Sequence, residues 1–508
     1  MNKTTTSISI FLLCFCSCTF GQVLSSKVID SVSKNPIPYV TILLSDDSGV
    51  ITNEEGQFSI QIQEAIKNTD SIFISCMGYE TMALPLQQSI DSILYLQPKA
   101  IELNHVILTN KEYTADELLV LVKNNINQNY NRNTSKKRLF YRESNYQNFT
   151  KMDYTFKKST IKEFNKEFID SILQSFPKSA PYYTEILCDF YGDHSEENQK
   201  INIIKASQLY DKNAELSFKG MEEKFNTIIK RNVKPDSYFK IKSGIFGTKV
   251  DMDDMLNEED SETTKDEEAL KKELEEKKKH EEERKKNFSG HKRSSLARVF
   301  QSHFFTENPY LNFLQKPNRY DFKVIDFTFL GNEPVYIVDF TPSGSEKNKG
   351  RLYINADDYA ILRIDYENVK SLKRFNLMGI SLNIYQKKGK KFFAKGSDGL
   401  YNLHYYEMET GSRFGISRPL KIIEKNKHVK GRRKQNELFV KLDMAITSTN
   451  KSQIVVFDVK NIAASEFDAL PKNNKILPTY MSQYDPEFWK GYNIIEPNTA
   501  IREFTVEE

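Results

Sequence analysis

The residues whose types could do chemistry in this chain are seven histidines, a scatter of paired carboxylates and two cysteines beyond residue 21. A hydrolytic zinc site draws three or four His, Asp, Glu or Cys ligands onto one ion, and a zinc peptidase takes two of them from a His-x-x-Glu pair. His105, His194, His280, His291, His303, His404 and His428 are dispersed, and none is expected to form such a pair in an apolar setting. His280 precedes Glu281, Glu282 and Glu283, but inside a charged run with no core to desolvate a metal. Cys76 and Cys188 lie too far apart in sequence for a disulfide framework or a metal-ligand spacing. Cys76 closes the apolar run Ser71–Ser75 and reads as a buried strand residue.

Other chemistry is searched for and not found. There is no Gly-rich phosphate loop, no Gly-x-Ser-x-Gly elbow and no His-Glu-x-x-His. Ser343-Gly344-Ser345 sits among Pro342, Glu346, Lys347 and Asn348, so it reads as a hairpin loop. Asp357-Asp358 falls on a strand turn, where Asp is favoured for its own hydrogen bonding. Asp251, Asp253 and Asp254 resemble the start of a calcium loop, and Glu262 falls at its twelfth place, but Leu256 stands where that loop needs its Gly, so only half the pattern holds. The basic stretch Lys421–Lys434 suits an anionic surface or a solvated hairpin. No catalytic, cofactor-binding or metal-binding residue is therefore expected, and no cofactor.

The elements that would have to position such residues begin with an export signal. Lys3 precedes the short apolar run Ile8–Cys16, and Thr19 and Gly21 supply small residues ahead of a cleavage between Gly21 and Gln22. Cys18 after Ser17 offers a rival, lipid-anchored start, although Phe15 and Cys16 fit that pattern poorly. No later stretch is long and apolar enough for a membrane helix, so the mature chain is expected to carry none. With 508 residues, two or three domains are expected. Lys+Arg 72 against Asp+Glu 69 leaves +3, which argues against a nucleic-acid partner held by bulk charge.

Residues 22–108 read as short strands with turn signals at Lys34-Asn35-Pro36, Asp46–Gly49 and Asn53–Gly56. Pro36 and Pro38 stiffen the approach to a strand, Gly56 permits a tight turn and Phe58 plugs a core. Gly78 lets the chain bend before Tyr79 packs back. The order Lys27–Asp30, Pro36–Val40, Thr52–Phe58 and Ile74–Tyr79 resembles the carboxypeptidase-like regulatory domain. That resemblance implies a transthyretin-like β-sandwich, of the kind found at the start of exported and outer-membrane proteins of Gram-negative bacteria. Ser25-Ser26 departs from the Gly usual in that family before the first strand. In metallocarboxypeptidases the sandwich accompanies a separate zinc peptidase domain, which is not expected here.

Thr114 and Glu117 make a capping box for a helix with Leu118, Leu119, Val122 and Ile126 on one face. That helix and the following Leu139–Glu143 strand resemble the opening of an uncharacterised exported family carrying the same sandwich, and Phe488–Pro497 resembles its closing segment. Residues 251–290 are different material, with sixteen Asp/Glu against nine Lys/Arg, and read as a charged, partly disordered or helical insertion. Strands resume from Val324, with hairpin turns expected at Gly331–Pro334, Asn355–Asp358 and Lys387–Lys390.

The fold expected is mainly β of α+β type. A signal (1–21) precedes a seven-stranded-type β-sandwich (22–108), and a larger antiparallel-sheet domain with packed helices spans 111–250 and 291–508. The function expected is that of a non-enzymatic envelope protein with a binding or scaffolding role at the outer membrane or in the periplasm. Its partner would be an envelope protein, a lipid or a glycan. The alternative is a hydrolase with a site of scattered His, Asp and Glu in the large domain. A carrier should show an apolar cavity between sheet and helix; an enzyme should show titratable groups converging in one cleft.

Overall fold

The computed structural model describes residues 22–44, 49–62, 71–86, 90–99, 113–195, 197–234, 236–244, 246–251, 267–331, 333–426, 428–429 and 433–506. The export signal, His105 and Cys18 lie outside them, as do Asp253 and Asp254 of the calcium-like start. The chain divides into two compact units. One comprises the described residues up to Lys99 with residues 329–332 and Asp485–Thr499, and the other holds the remainder.

The first unit is a seven-stranded sandwich. Its strands are β1 (Gln22–Asp30), β2 (Thr41–Leu44), β3 (Gly49–Ile51), β4 (Gln57–Ile62), β5 (Ser71–Ser75), β6 (Met82–Pro85) and β7 (Ile93–Leu96). They form one sheet in the order β4-β1-β7 and a second in the order β3-β2-β5-β6. Period-2 alternation makes the core: Phe58, Ile60 and Ile62 of β4 point inward while their neighbours are half-buried. Gly56 takes φ +75°, and a Cβ there would lie 2.5 Å from the Val28 carbonyl oxygen, so both dihedral and space demand glycine. Gly78 also has positive φ, and Tyr79 donates its hydroxyl to Asp30 Oδ2 at 2.8 Å. The Ser25-Ser26 departure is absorbed locally, Ser26 Oγ donating to the Asp91 carbonyl at 2.7 Å. Cys76 falls one residue past β5 and is only half-buried, which corrects its reading as a buried strand residue: the strand ends at Ser75 and the chain turns away.

The second unit is built on one large, mostly antiparallel sheet. Its strands are β8 (Ser135–Ser159), β9 (Ser179–Gly192), β10 (Gln199–Tyr210), β11 (Ser237–Ser243), β12 (Phe246–Asp251), β13 (Tyr320–Leu330), β14 (Glu333–Pro342), β15 (Asn348–Asn355), β16 (Ile361–Asn368), β17 (Lys373–Leu377), β18 (Ile380–Lys395), β19 (Tyr401–Asn426), β20 (Lys434–Asn461) and β21 (Thr479–Met481). The central order is β16-β18-β19-β20-β8-β9-β10, and β11 and β17 pair onto β19 and β18. The expected turn at Lys387–Lys390 is absent, because β18 runs straight through it. Gly389 is there for close approach rather than for turning: an added Cβ would meet Glu407 O and Tyr366 Oη at 2.5 Å each.

Four helices matter. α1 (Ala115–Asn129) starts at the Thr114–Glu117 capping box, with Leu118, Leu119 and Val122 buried. α2 (Lys166–Ser175) and α3 (Lys212–Asn232) bracket a small core of Phe164, Ile229, Val233 and Phe239. α4 (Glu267–Gln301) is continuous from the charged stretch into apolar Leu296, Ala297, Val299 and Phe300, all buried. At 1.5 Å per residue its thirty-five residues extend roughly 50 Å. Among the described residues no helix is long and apolar enough to cross a membrane, which says nothing of a β-barrel.

Candidate functional site

Within the second unit, three pieces of chain converge on a cleft of about 550 Å³. The exit of α1 supplies Arg132. The turn between β9 and β10 supplies Asp193, His194 and Ser195. The end of α4 and the turn after it supply Arg298, Gln301, Ser302, Thr306, Glu307 and Asn308. Beneath lies an aromatic floor: Tyr130 stacks on Phe305 at 4.7 Å, and Phe190 on Phe300 at 5.2 Å. Burying each such ring stabilises the floor by roughly 2–3 kcal/mol, enough to hold the polar groups above it in place.

Embedded in that floor are four basic side chains. Lys137 donates to Ser135 Oγ at 2.7 Å and to the Gly192 carbonyl at 2.9 Å, and its ammonium lies 5.2 Å from the centre of the Phe300 ring. Burial pushes it down to about 7. Lys391 donates to the Ser302 carbonyl at 3.0 Å, sits 3.4 Å from His303 Nδ1, and is likewise lowered by burial to about 7. The rings of His194 and His303 lie 5.4 Å apart. Burial, then the Lys137 charge, takes His194 down to about 4. His303 is held well below its ordinary value by burial first and by Lys391 second, and its Nε2 has no hydrogen-bond partner.

The rim is differently arranged. Arg132 bonds the Asn127 side-chain oxygen at 2.8 Å and Arg298 the Ser295 hydroxyl at 3.3 Å; among the described residues neither meets a carboxylate. Burial alone would raise the Asp193 carboxyl. Hydrogen bonds from the Ser195 hydroxyl and amide, and from Asn198, outweigh it and hold Asp193 below the usual range. Asp193, His194 and Ser195 are consecutive and of the types used in nucleophilic catalysis, yet they are not wired for it. His194 Nδ1 faces the Phe300 carbonyl at 3.2 Å and Nε2 faces the Asn131 carbonyl at 3.1 Å. No ring nitrogen is left to take a proton from Ser195.

Of the other described histidines, His291, His404 and His428 do not line the cleft. Besides His280 and Glu283 in the charged run, two His-x-x-Glu spacings occur, against the expectation of none in an apolar setting. Glu197 is exposed, so its pair with His194 has no apolar wall. His404 and Glu407 both lie on β19, where His404 is the extra residue of a bulge between Phe392 and Phe393. Glu407 is engaged by Tyr405 Oη at 2.9 Å and Lys451 at 3.1 Å. No group of three or more metal-ligating side chains occurs among the described residues. Asp358 accepts from Tyr401 and pairs with Lys395 at 2.9 Å, so the Asp357-Asp358 turn is structural. Ser343–Ser345 lies on the loop between β14 and β15. Lys421–Lys434 ends β19 and begins β20, the Asn426 amide bonding Arg433 O at 3.0 Å.

Of the expected fold residues, Pro36, Pro38, Gly56, Phe58, Gly78 and Tyr79 all lie in the sandwich unit, and Gln22 is the first residue of β1. Sequence reasoning missed Arg132, Arg298, Lys137 and Lys391. The available signals were the polar Gly192–Ser195 turn closing an apolar strand and a lysine set directly before Phe392-Phe393.

No curated protein matches the chain. A putative outer membrane lipoprotein-sorting protein domain from Vibrio parahaemolyticus is similar at 10% identity, covering 70% of this chain and 97% of that one, with a TM-score of 0.20. The Pseudomonas aeruginosa MucA/MucB complex is similar at 7% identity, covering 69% and 99%, with a TM-score of 0.16. MucB in complex with MucA(peri) gives 8%, 69%, 99% and 0.16. Scores this low do not establish a shared fold. The sandwich, by contrast, is assigned by its sequence: residues 24–108 match the family model of the CarboxypepD_reg-like domain.

Proposed function

We propose that this is an exported envelope protein without enzymatic activity, whose cleft binds a hydroxyl-bearing, anionic ligand, either an acidic glycan or a lipid headgroup. The observation that carries this reading is the pair Arg132 and Arg298, two guanidinium groups on one cleft with no carboxylate partner among the described residues. Guanidinium forks suit carboxylate and phosphate. Asp193 is occupied by its own turn, which leaves Glu307, Asn308 and Gln301 to meet hydroxyl groups. The cleft is polar, so it does not favour a carrier of bare acyl chains. The blocked ring of His194 favours binding over acyl transfer. The N-terminal signal and the regulatory-type sandwich support the envelope location.

Calorimetric titration of the full chain tests it, with oligogalacturonate, its methyl ester and glycerol phosphate as probes. Binding of one of the two anions and not of the ester is expected, weakened roughly tenfold or more in Arg132→Ala/Arg298→Ala, as befits lost charge-assisted bonds. Which anion binds separates glycan from headgroup. Equal binding of the ester, or an unaffected double variant, overturns the reading. Export is tested separately by sequencing protein from envelope fractions: Gln22 first is expected, Met1 retained refutes it, and a lipid on Cys18 establishes the rival anchor.

A further inference from the structure

Far along the sheet from the cleft in strand register, the second unit exposes a set of apolar side chains that its core does not use. The β17–β18 hairpin closes through Met378 and Gly379, both at positive φ, as a two-residue loop requires. Leu377 and Met378 at that tip are 56% and 52% exposed, and Phe375 behind them 42%. In register, Phe375 pairs with Leu382 and Leu382 with Phe414, itself 43% exposed, so these rings share one face. A second hairpin, β11–β12, presents Phe246 at 56% exposure.

One residue joins the two tips. Arg418 stacks over Phe246 at 5.1 Å and donates to the Ser243 carbonyl, while its Cγ lies 2.9 Å from where a Cβ on Gly379 would stand. The exposed residues therefore occupy one end of the sheet rather than scattered points. Contiguous exposed apolar groups on a folded surface mark an interaction site.

Charge identifies the occupant. The three stretches meeting there, residues 237–250, 368–386 and 410–423, carry nine Lys and Arg residues and no Asp or Glu. Carboxylates stand just outside those stretches in register: Asp443, opposite Ser417, shares Lys151 with Asp153; Glu424, opposite Phe239, accepts from Ser237 Oγ; and Asp251 lies opposite Tyr238. Apolar tips set among nine cations, with Asp443 and Glu424 at the border already engaged, match a surface that is oily inside and negative outside. A protein partner would need acidic side chains placed one by one, whereas an anionic bilayer supplies both features everywhere.

We propose that the β11–β12 and β17–β18 tips dock this end of the sheet onto an anionic phospholipid surface, with Phe246, Leu377 and Met378 entering the headgroup boundary. The docking is independent of the cleft, so either reading can fail without the other.

Co-sedimentation of the full chain with vesicles tests it, using phosphatidylcholine alone and phosphatidylcholine mixed with phosphatidylglycerol. Expected is binding to the mixed vesicles only, weakening as salt rises. Replacing three exposed apolar residues (Phe246→Ser/Leu377→Ser/Met378→Ser) should weaken it roughly tenfold or more, with the melting temperature unchanged. Lys373→Glu/Arg374→Glu should weaken it while leaving every apolar residue in place. Equal binding to neutral vesicles, or wild-type binding by both variants, overturns the proposal. So does light scattering showing a dimer that the serine variant abolishes, since the face would then be covered by a second copy.

Discussion

Replacing His303 by Phe tests the buried basic floor directly. His303 is 1% exposed, stacked on Phe305 at 5.2 Å, and bears an Nε2 with no partner. Its folded-state pKa is depressed well below the ordinary 6.5. Between those two values the unfolded chain holds a proton that the native chain refuses. The group is thus neutral in the linkage above pH 6.5, and stability falls as pH drops below it. The slope is about 1.4 kcal/mol per pH unit, so from pH 6.5 to pH 5 this one ring removes about 2 kcal/mol. Phenylalanine keeps the stack and cannot titrate. His303→Phe should therefore lose about 2 kcal/mol less than wild type between pH 8 and pH 5, whatever its stability at pH 8. That starting stability sets relief of the unpaired Nε2, roughly 1–3 kcal/mol, against loss of the Nδ1 contact with Lys391 at 3.4 Å. Urea unfolding at the two pH values, followed by far-UV circular dichroism, measures the difference. Trp489 belongs to the sandwich unit, so its fluorescence reports on the other body. An unchanged pH 8 to pH 5 loss in the variant would refute the argument, because it would mean the native ring already accepts the proton.

Other tests follow from the same physics. Lys391 is lowered from 10.5 to about 7, so its contribution to stability increases as pH rises across that window; Lys391→Met should flatten the urea-measured dependence by about 1.4 kcal/mol per pH unit. Arg142 and Glu185 form a buried pair at 2.6 Å, so Arg142→Met should cost about 3–5 kcal/mol in the same assay and Arg142→Met/Glu185→Leu much less. Gly389→Ala should destabilise by about 1–3 kcal/mol, because its Cβ lands on Glu407 O and the Tyr366 hydroxyl. Peptide, ester and glycoside substrates, with and without zinc, should show no turnover; activity abolished by His194→Ala, His303→Ala or His404→Ala would overturn the non-enzymatic reading.

What was legible in the sequence was local. Alternation in Gln57–Ile62, the glycine at 56 and the Thr114–Glu117 cap each rest on neighbours a few residues away, and each appears as read. The cleft was not legible because its parts come from residues 132, 193 and 298, joined only by the sheet. Lys137 and Lys391 look solvated in sequence, and nothing nearby reveals that neighbouring strands close over them. Gly389 shows the converse error: a Lys-Lys-Gly-Lys run carries the composition of a turn, while the crowding that requires glycine is supplied by Tyr366 and Glu407 on the flanking strands.

The sandwich unit is assembled from segments far apart in sequence, residues 22–99 and Asp485–Thr499. Asn53 Nδ2 donates to the Pro497 carbonyl across 444 residues, the Gln61 amide of strand β4 donates to Asn493, and the Thr499 amide donates to Glu55. Trp489 and Ile495 are buried in the same unit. During synthesis, edge strand β4 must wait for a segment more than four hundred residues further along before it is capped. Closing so long a loop costs little more entropy than closing one half as long, but it makes the order of events strict. A chain lacking residues 485–499 would expose that uncapped strand edge to its neighbours.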